Sequence, residues 1–188
     1  RREKSDFFRL CGGSLGGKAR GLGFARSMIR DSGIQKKFSN VNIRVPQCAV
    51  IGTDEFDRFM KDNDLWSIAL GGIDDDGLVK HFIKARISID LILRLESFIK
   101  ENKYPLAVRS SSLLEDSQYQ PLAGTYEPYM LPNNSRSDKK RLKELTIEIK
   151  KVFASSFKGV ARTLLNNTAH RIEEEKMAIV VLKAKEFY

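Results

Sequence analysis

The run Ala107-Val108-Arg109-Ser110-Ser111-Ser112 carries a short apolar stretch into an arginine and three hydroxyls, with Glu115-Asp116 and Ala123-Gly124 following. Arginine presents a planar fork of donors that fits phosphate oxygens. Neighbouring serines and the backbone N–H groups of a turn add neutral donors around the same anion. Taken alone, the pattern also fits a surface turn with a salt bridge.

A second stretch of the same chemical kind lies near the N-terminus. Gly12-Gly13-Ser14-Leu15-Gly16-Gly17-Lys18-Ala19 leads into a helical pattern. Glycines let backbone approach a ligand closely. A helix N-terminus adds partial positive charge, and Lys18 adds a full one. The spacing departs from a P-loop at Ala19, where a Ser or Thr would hold magnesium. The alternative is a flexible glycine linker before a helix.

These residues need a scaffold. Gly21 to Arg30 reads as a helix with Leu22, Ala25, Met28 and Ile29 on one face and Gly33 as its stop. The charged segment Arg1 to Leu10 makes a poor buried strand. Val41 to Ile51 reads as a strand bent at Pro46. Thr53 is placed to cap a helix whose inner face is Phe56, Phe59 and Met60. The aspartates of Gly71 to Gly77 read as a solvated loop, since the alternation and closing Glu of a calcium loop are absent. Leu78 to Asn102 reads as one long helix, with Phe82, Ile83, Ile87, Leu91, Leu95, Phe98 and Ile99 inward. His81 on it has no partner pattern. Pro105 to Arg109 and Gly124 to Leu131 read as strands, with the serines in the turn beyond the first. Asp138 to Phe157 is helical, with Leu142, Leu145, Ile149, Val152 and Phe153 inward. Val160 to Leu165 continues as a short helix, and Met177 to Leu182 is a buried-type strand. This mixture predicts an α/β (α+β) domain with a mixed sheet and flanking helices.

The chain has 188 residues, 41% of them hydrophobic, which suits one sizeable domain or two small lobes. No apolar run is long enough to span a membrane. Cys11 and Cys48 are the only cysteines, so a disulfide framework is not expected and a cytoplasmic setting is. The net charge of +9 is spread among interleaved acids. Its densest patch, Asp138 to Arg141, reads as a solvated helix face, which argues against nucleic acid as a partner. The first residue is not Met, and the chain reads as an excised piece of a longer one.

In order, Gly16-Gly17-Lys18-Ala19, Val45-Pro46, Ala107 to Ser112, Glu115-Asp116, Ala123-Gly124 and Phe153-Ala154-Ser155-Ser156-Phe157 resemble the nucleotide-binding domain of phosphoenolpyruvate synthase and pyruvate phosphate dikinase. The resemblance runs from about Leu15 to Val181. It implies part of an ATP-grasp domain over residues 1–188, with 1–14 a leader and 183–188 unaligned. In that family, ATP gives its β-phosphoryl group to a histidine on a separate swivelling domain, which delivers it to pyruvate at a barrel domain. The resemblance makes Lys18 a phosphate contact and Arg109 the catalytic arginine that steadies the transferring phosphoryl group. Gly16, Gly17, Ser110, Ser111, Ser112 and Gly124 would bind the nucleotide with them. Glu115 and Asp116 fit two roles equally, pairing with Arg109 or forming the turn. Neither His81 nor His170 has the Thr-Ser-His context of the phosphoacceptor. The Mg2+ acids are expected in a second lobe outside this chain, and the isolated chain is expected to be inactive. Two positions depart from the family: Pro128 stands for a Thr, and Leu182 for a Gln. They leave open a degenerate regulatory or interaction module, and a different acceptor (rifampin or glucan) is a further reading.

Overall fold

Phe7–Arg9 (β1), Cys48–Ile51 (β2), Leu106–Ser111 (β3), Tyr129–Leu131 (β4) and Ala178–Lys183 (β5) form one sheet in the computed structural model, which describes residues 7–112, 126, 128–159, 161, 163 and 176–184. The strand order is β1-β2-β5-β3-β4. The β1–β2 pair is parallel and the other three pairs are antiparallel. The helices are α1 (Gly16–Asp31), α2 (Ile34–Lys37), α3 (Thr53–Asp62), α4 (Leu65–Leu70), α5 (Asp75–Lys84), α6 (Ile89–Glu101) and α7 (Asp138–Ser155). None of them is long and apolar enough to cross a membrane.

Side chains alternate across a strand, so each strand feeds two faces. On one face Ala49, Ile51, Leu106, Val108, Ile179 and Val181 join the main core beneath α3 to α7. Its centre is aromatic: Phe153 lies 5.3 Å from both Phe56 and Phe59, ring to ring. Each such side chain contributes about 1.5–3 kcal/mol by leaving water. On the other face Cys48, Val50 and Val180 meet Ala19 of α1, with Phe7, Leu15, Leu22 and Leu182 packed around them.

The mixed sheet with flanking helices agrees with the sequence pattern, while several boundaries move. The first helix begins at Gly16, five residues before the expected Gly21. Only Cys48–Ile51 of the expected Val41–Ile51 strand joins the sheet. Phe7–Arg9, read as too charged for a buried strand, forms a half-buried edge strand inside the segment expected as a leader. Thr53 opens α3 rather than capping it, and its hydroxyl instead accepts from the Ser14 N–H at 2.9 Å. The long helix expected from Leu78 to Asn102 is two helices. Ser88 caps α6 by accepting from the Leu91 N–H, and its own hydroxyl donates to the buried Glu55 at 2.8 Å. Asp74 caps α5 by accepting from the Gly77 N–H, which gives the aspartate run a structural use. No cluster among the described residues has metal-ligand character.

Lys139 and Lys140 of the basic patch are exposed, as a solvated face requires, and Arg141 is the exception. It is 2% exposed and donates to the Asn102 carbonyl at 3.0 Å and to Asp138 at 2.6 Å. Glu115, Asp116, Gly124 and His170 lie outside the described residues, as does most of the expected Val160–Leu165 helix.

Candidate functional site

The start of α1 is fastened to the end of β3. The Ser111 hydroxyl donates to the Leu15 carbonyl at 2.7 Å and accepts from the Ala19 N–H at 3.0 Å, joining residues 96 and 92 apart in the chain. The Gly17 N–H donates to the Ser112 carbonyl at 3.1 Å. Gly16 has φ of +71°, and a Cβ there would fall 1.6 Å from the Ser111 carbonyl oxygen. Only glycine fits that approach. Upstream, Arg9 donates to the carbonyls of Cys11 at 3.1 Å and Gly13 at 2.7 Å, and the Thr53 N–H donates to Ser14. The glycine segment is therefore held on three sides rather than flexible.

The serines are not in a turn. Ser110 and Ser111 belong to β3, paired with Ile179 and Ala178, and Ser110 to Ser112 are all buried. Ser111 uses its hydroxyl on α1. Gly16 and Gly17 give their N–H groups to Ser14 and Ser112.

This docking brings Lys18 and Arg109 to one place. Arg109, paired with Val180, shares a sheet face with Ala107 and Ser111. With Lys18, Gly21 and Leu22 of α1, and Val180 and Leu182 of β5, it lines a cleft of about 320 Å³. Gly16, Gly17, Ser111 and Ser112 fasten α1 beside this cleft without lining it, whereas Ser110, between Arg109 and Ser111 in the strand, lies on the opposite face with Ile179. Among the described residues the cleft's lining holds two cations and no carboxylate. An anionic group suits the Lys18–Arg109 side, and a flat apolar group suits Leu22, Val180 and Leu182. The donor set does not suit Mg2+, which takes oxygen ligands. Gly21 and Val180 were not foreseen as lining. The inward-facing strand and the helix face contained that signal, but not the depth at which they meet.

Pro128 stands beside the site by register. The β3–β4 ladder ends at Val108–Tyr129, and one further step would pair Arg109 with Pro128. Proline has no N–H with which to continue it.

Two titrating groups lie behind the glycine segment, in a separate cavity of about 230 Å³ that also holds Arg9, Arg58, Asp90 and Arg94. Burial, and then the nearby Glu55, push the Cys11 thiol up to about 11. Burial also raises the Glu55 carboxyl above its ordinary range, against hydrogen bonds from Ser88 and the charge of Arg58.

The sequence that builds this arrangement is similar to that of known proteins. Residues 13–186 match the family described as pyruvate phosphate dikinase, AMP/ATP-binding domain. The chain is 29% identical over 147 residues to the uncharacterized phosphotransferase YvkC of Bacillus subtilis (strain 168). The match covers 77% of this chain and 16% of that relative, so the chain spans a small part of the relative's length. A cationic cleft built where a glycine-started helix docks on a strand end, inside a family match that spans nearly the whole chain, places this protein in the pyruvate phosphate dikinase AMP/ATP-binding domain family.

Proposed function

We propose that this chain is the ATP-binding portion of a phosphoenolpyruvate synthase-like dikinase. The supporting observation is the shared cleft of Lys18 and Arg109, which come from opposite ends of the chain's first two-thirds. ATP seats its base against Val180 and Leu182 and its phosphates against the two cations. Lys18 holds phosphate oxygens, and Arg109 meets the charge that develops on the transferring group. Phosphoryl transfer is catalysed mainly by such positioning and charge. The acceptor is a histidine on another domain of the parent protein, and pyruvate receives the group from it. Magnesium, held by acids of a second lobe, would shield the phosphates. The cytoplasm is the setting.

The test is Arg109→Ala in the intact parent. Transfer to the acceptor should fall about 10²–10³-fold, as when one preorganised transition-state donor is lost. ATP affinity, measured by calorimetry, should fall far less. Equal losses in both would contradict the role given to Arg109.

Pro128 and Leu182 favour a second reading, a degenerate module of the same fold. Pro128→Thr in the parent separates the two. One hydrogen bond to a charged phosphate is worth about 1.5–3 kcal/mol, or roughly ten- to hundredfold in affinity. A gain of several-fold supports a weakened but working site. No ATP binding by either form supports the module.

A further inference from the structure

We propose that the chain carries a second anion site, apart from the nucleotide cleft, which takes an organic phosphate with a flat apolar body. A cavity of about 500 Å³ opens between the second half of α1, α2 and the segment leading into β2. Among the described residues it shares no lining with the Lys18–Arg109 cleft. Its volume lies within the range of about 300–1,000 Å³ usual for small-molecule sites.

Among the described residues, Arg26, Arg30, Lys36 and Arg44 line it and no carboxylate does. Arg30 is paired with Asp31 at 2.8 Å, and Arg44 donates to the neutral Asn42 side chain. The side chains of Arg26 and Lys36 have no hydrogen-bond or ion-pair partner among the described residues. Like charges gathered on one concave wall repel one another, and a bound anion relieves that repulsion. Arginine forks and a lysine point charge suit phosphate oxygens. Beside these cations and the two amides Gln35 and Asn42, Phe7, Ile29, Ile43 and Pro46 offer apolar surface for a ring.

The wall is also fixed in place. Gly33, with φ of +61°, turns the chain out of α1 into α2. Gln35 then grips the returning segment at both ends of its amide, donating to the Val41 carbonyl and accepting from the Ile43 N–H at 2.9 Å. One side chain thereby fixes the path of the segment that forms this wall.

The test uses the ¹⁵N-labelled full chain titrated with AMP, with adenosine and inorganic phosphate as comparison probes. The amides of Ile29, Gln35 and Ile43 should shift saturably with AMP. Binding there should be at least tenfold tighter than with either comparison probe. In the double variant Arg26→Glu with Lys36→Glu, AMP should bind at least tenfold more weakly at those amides. Gly21 and Val180 should respond as in the unmodified chain. The milder pair Arg26→Gln with Lys36→Gln must weaken binding in the same direction, which guards against misfolding of the first variant. The proposal is overturned if millimolar AMP leaves these amides unmoved. It is also overturned if adenosine binds as well as AMP, or if either variant binds AMP undiminished.

Discussion

The two faces of the sheet are built on different terms. One is covered by α3 to α7 and closed by a continuous aromatic and aliphatic core. The other is covered mainly by α1, over a cluster of four buried side chains. The first face takes most of the burial and so most of the stability. The second leaves room for two cationic cavities, one on each side of the line where α1 meets the strands. A lightly packed face costs little to open, because few apolar contacts are lost. Binding chemistry on one face is thus tolerated because the other holds the fold.

Mutations on the two faces should separate these roles. Phe153→Ala in the closed face should cost about 3–5 kcal/mol, the usual range for a buried aromatic truncated in a core. Urea unfolding measures the loss. Nucleotide affinity of the folded fraction should hardly change. If affinity falls in parallel with stability, the faces are not independent.

Gly16→Ala on the open face should come next. The left-handed backbone alone costs an alanine about 1–2 kcal/mol. The added carbon must also displace the Ser111 carbonyl. Here nucleotide binding should fall more than stability, because the start of α1 moves and Lys18 moves with it. A milder form is Ser111→Ala. It leaves the Leu15 carbonyl and the Ala19 N–H unanswered, at about 1–3 kcal/mol. Protection of the α1 amides from hydrogen exchange should drop while that of α7 stays.

Glu55 gives a smaller, pH-dependent effect at the joint between the faces. Its carboxyl is raised in the folded protein, chiefly by burial. The folded state therefore holds that proton more tightly than the unfolded chain does. The stability this adds is fully present below the unfolded value and is lost as pH rises through the folded one. Denaturant midpoints taken from the carboxylate range up to neutral pH should fall less in Glu55→Gln than in the unmodified chain. An unchanged difference between the two would show that Glu55 is ionised at no cost.

The smallest effect concerns Cys11. With its thiol pushed up to about 11, it should alkylate at neutral pH about a hundredfold more slowly than a thiol at its usual value. A rate equal to that of an exposed thiol would show that the segment before α1 opens freely.

Apolar periodicity made the closed face legible in the sequence. Leu91, Leu95 and Ile99, and likewise Leu145, Ile149 and Phe153, recur at helical steps and are buried. The same periodicity concealed the break before α6, because inward positions continue across it. The signal there was polar: Ser88 with Asp90 in the first turn, and a glutamate far upstream to receive it. On the open face, residue type singled out Lys18 and Arg109, which the fold sets around one cleft, since charge and glycine spacing are local properties. What the serines and glycines do was not legible. Ser111 resembles a ligand donor in sequence, yet it bonds to a helix that lies 92 positions earlier in the chain. That partnership depends on strand register, and register is set by β5.

The place of β5 also constrains how the molecule is made. It lies between β2 and β3 and hydrogen-bonds to both, yet it follows them and β4 in the chain. Until Ala178–Lys183 has left the ribosome, β2 and β3 each present an edge with no neighbour. Contacts between residues far apart in sequence form slowly, because a long loop must close before they are rewarded. The nascent chain therefore carries these two edges open from the emergence of β3 until β5 follows, and such edges are templates for pairing with another chain. For this domain that interval closes when one six-residue strand arrives.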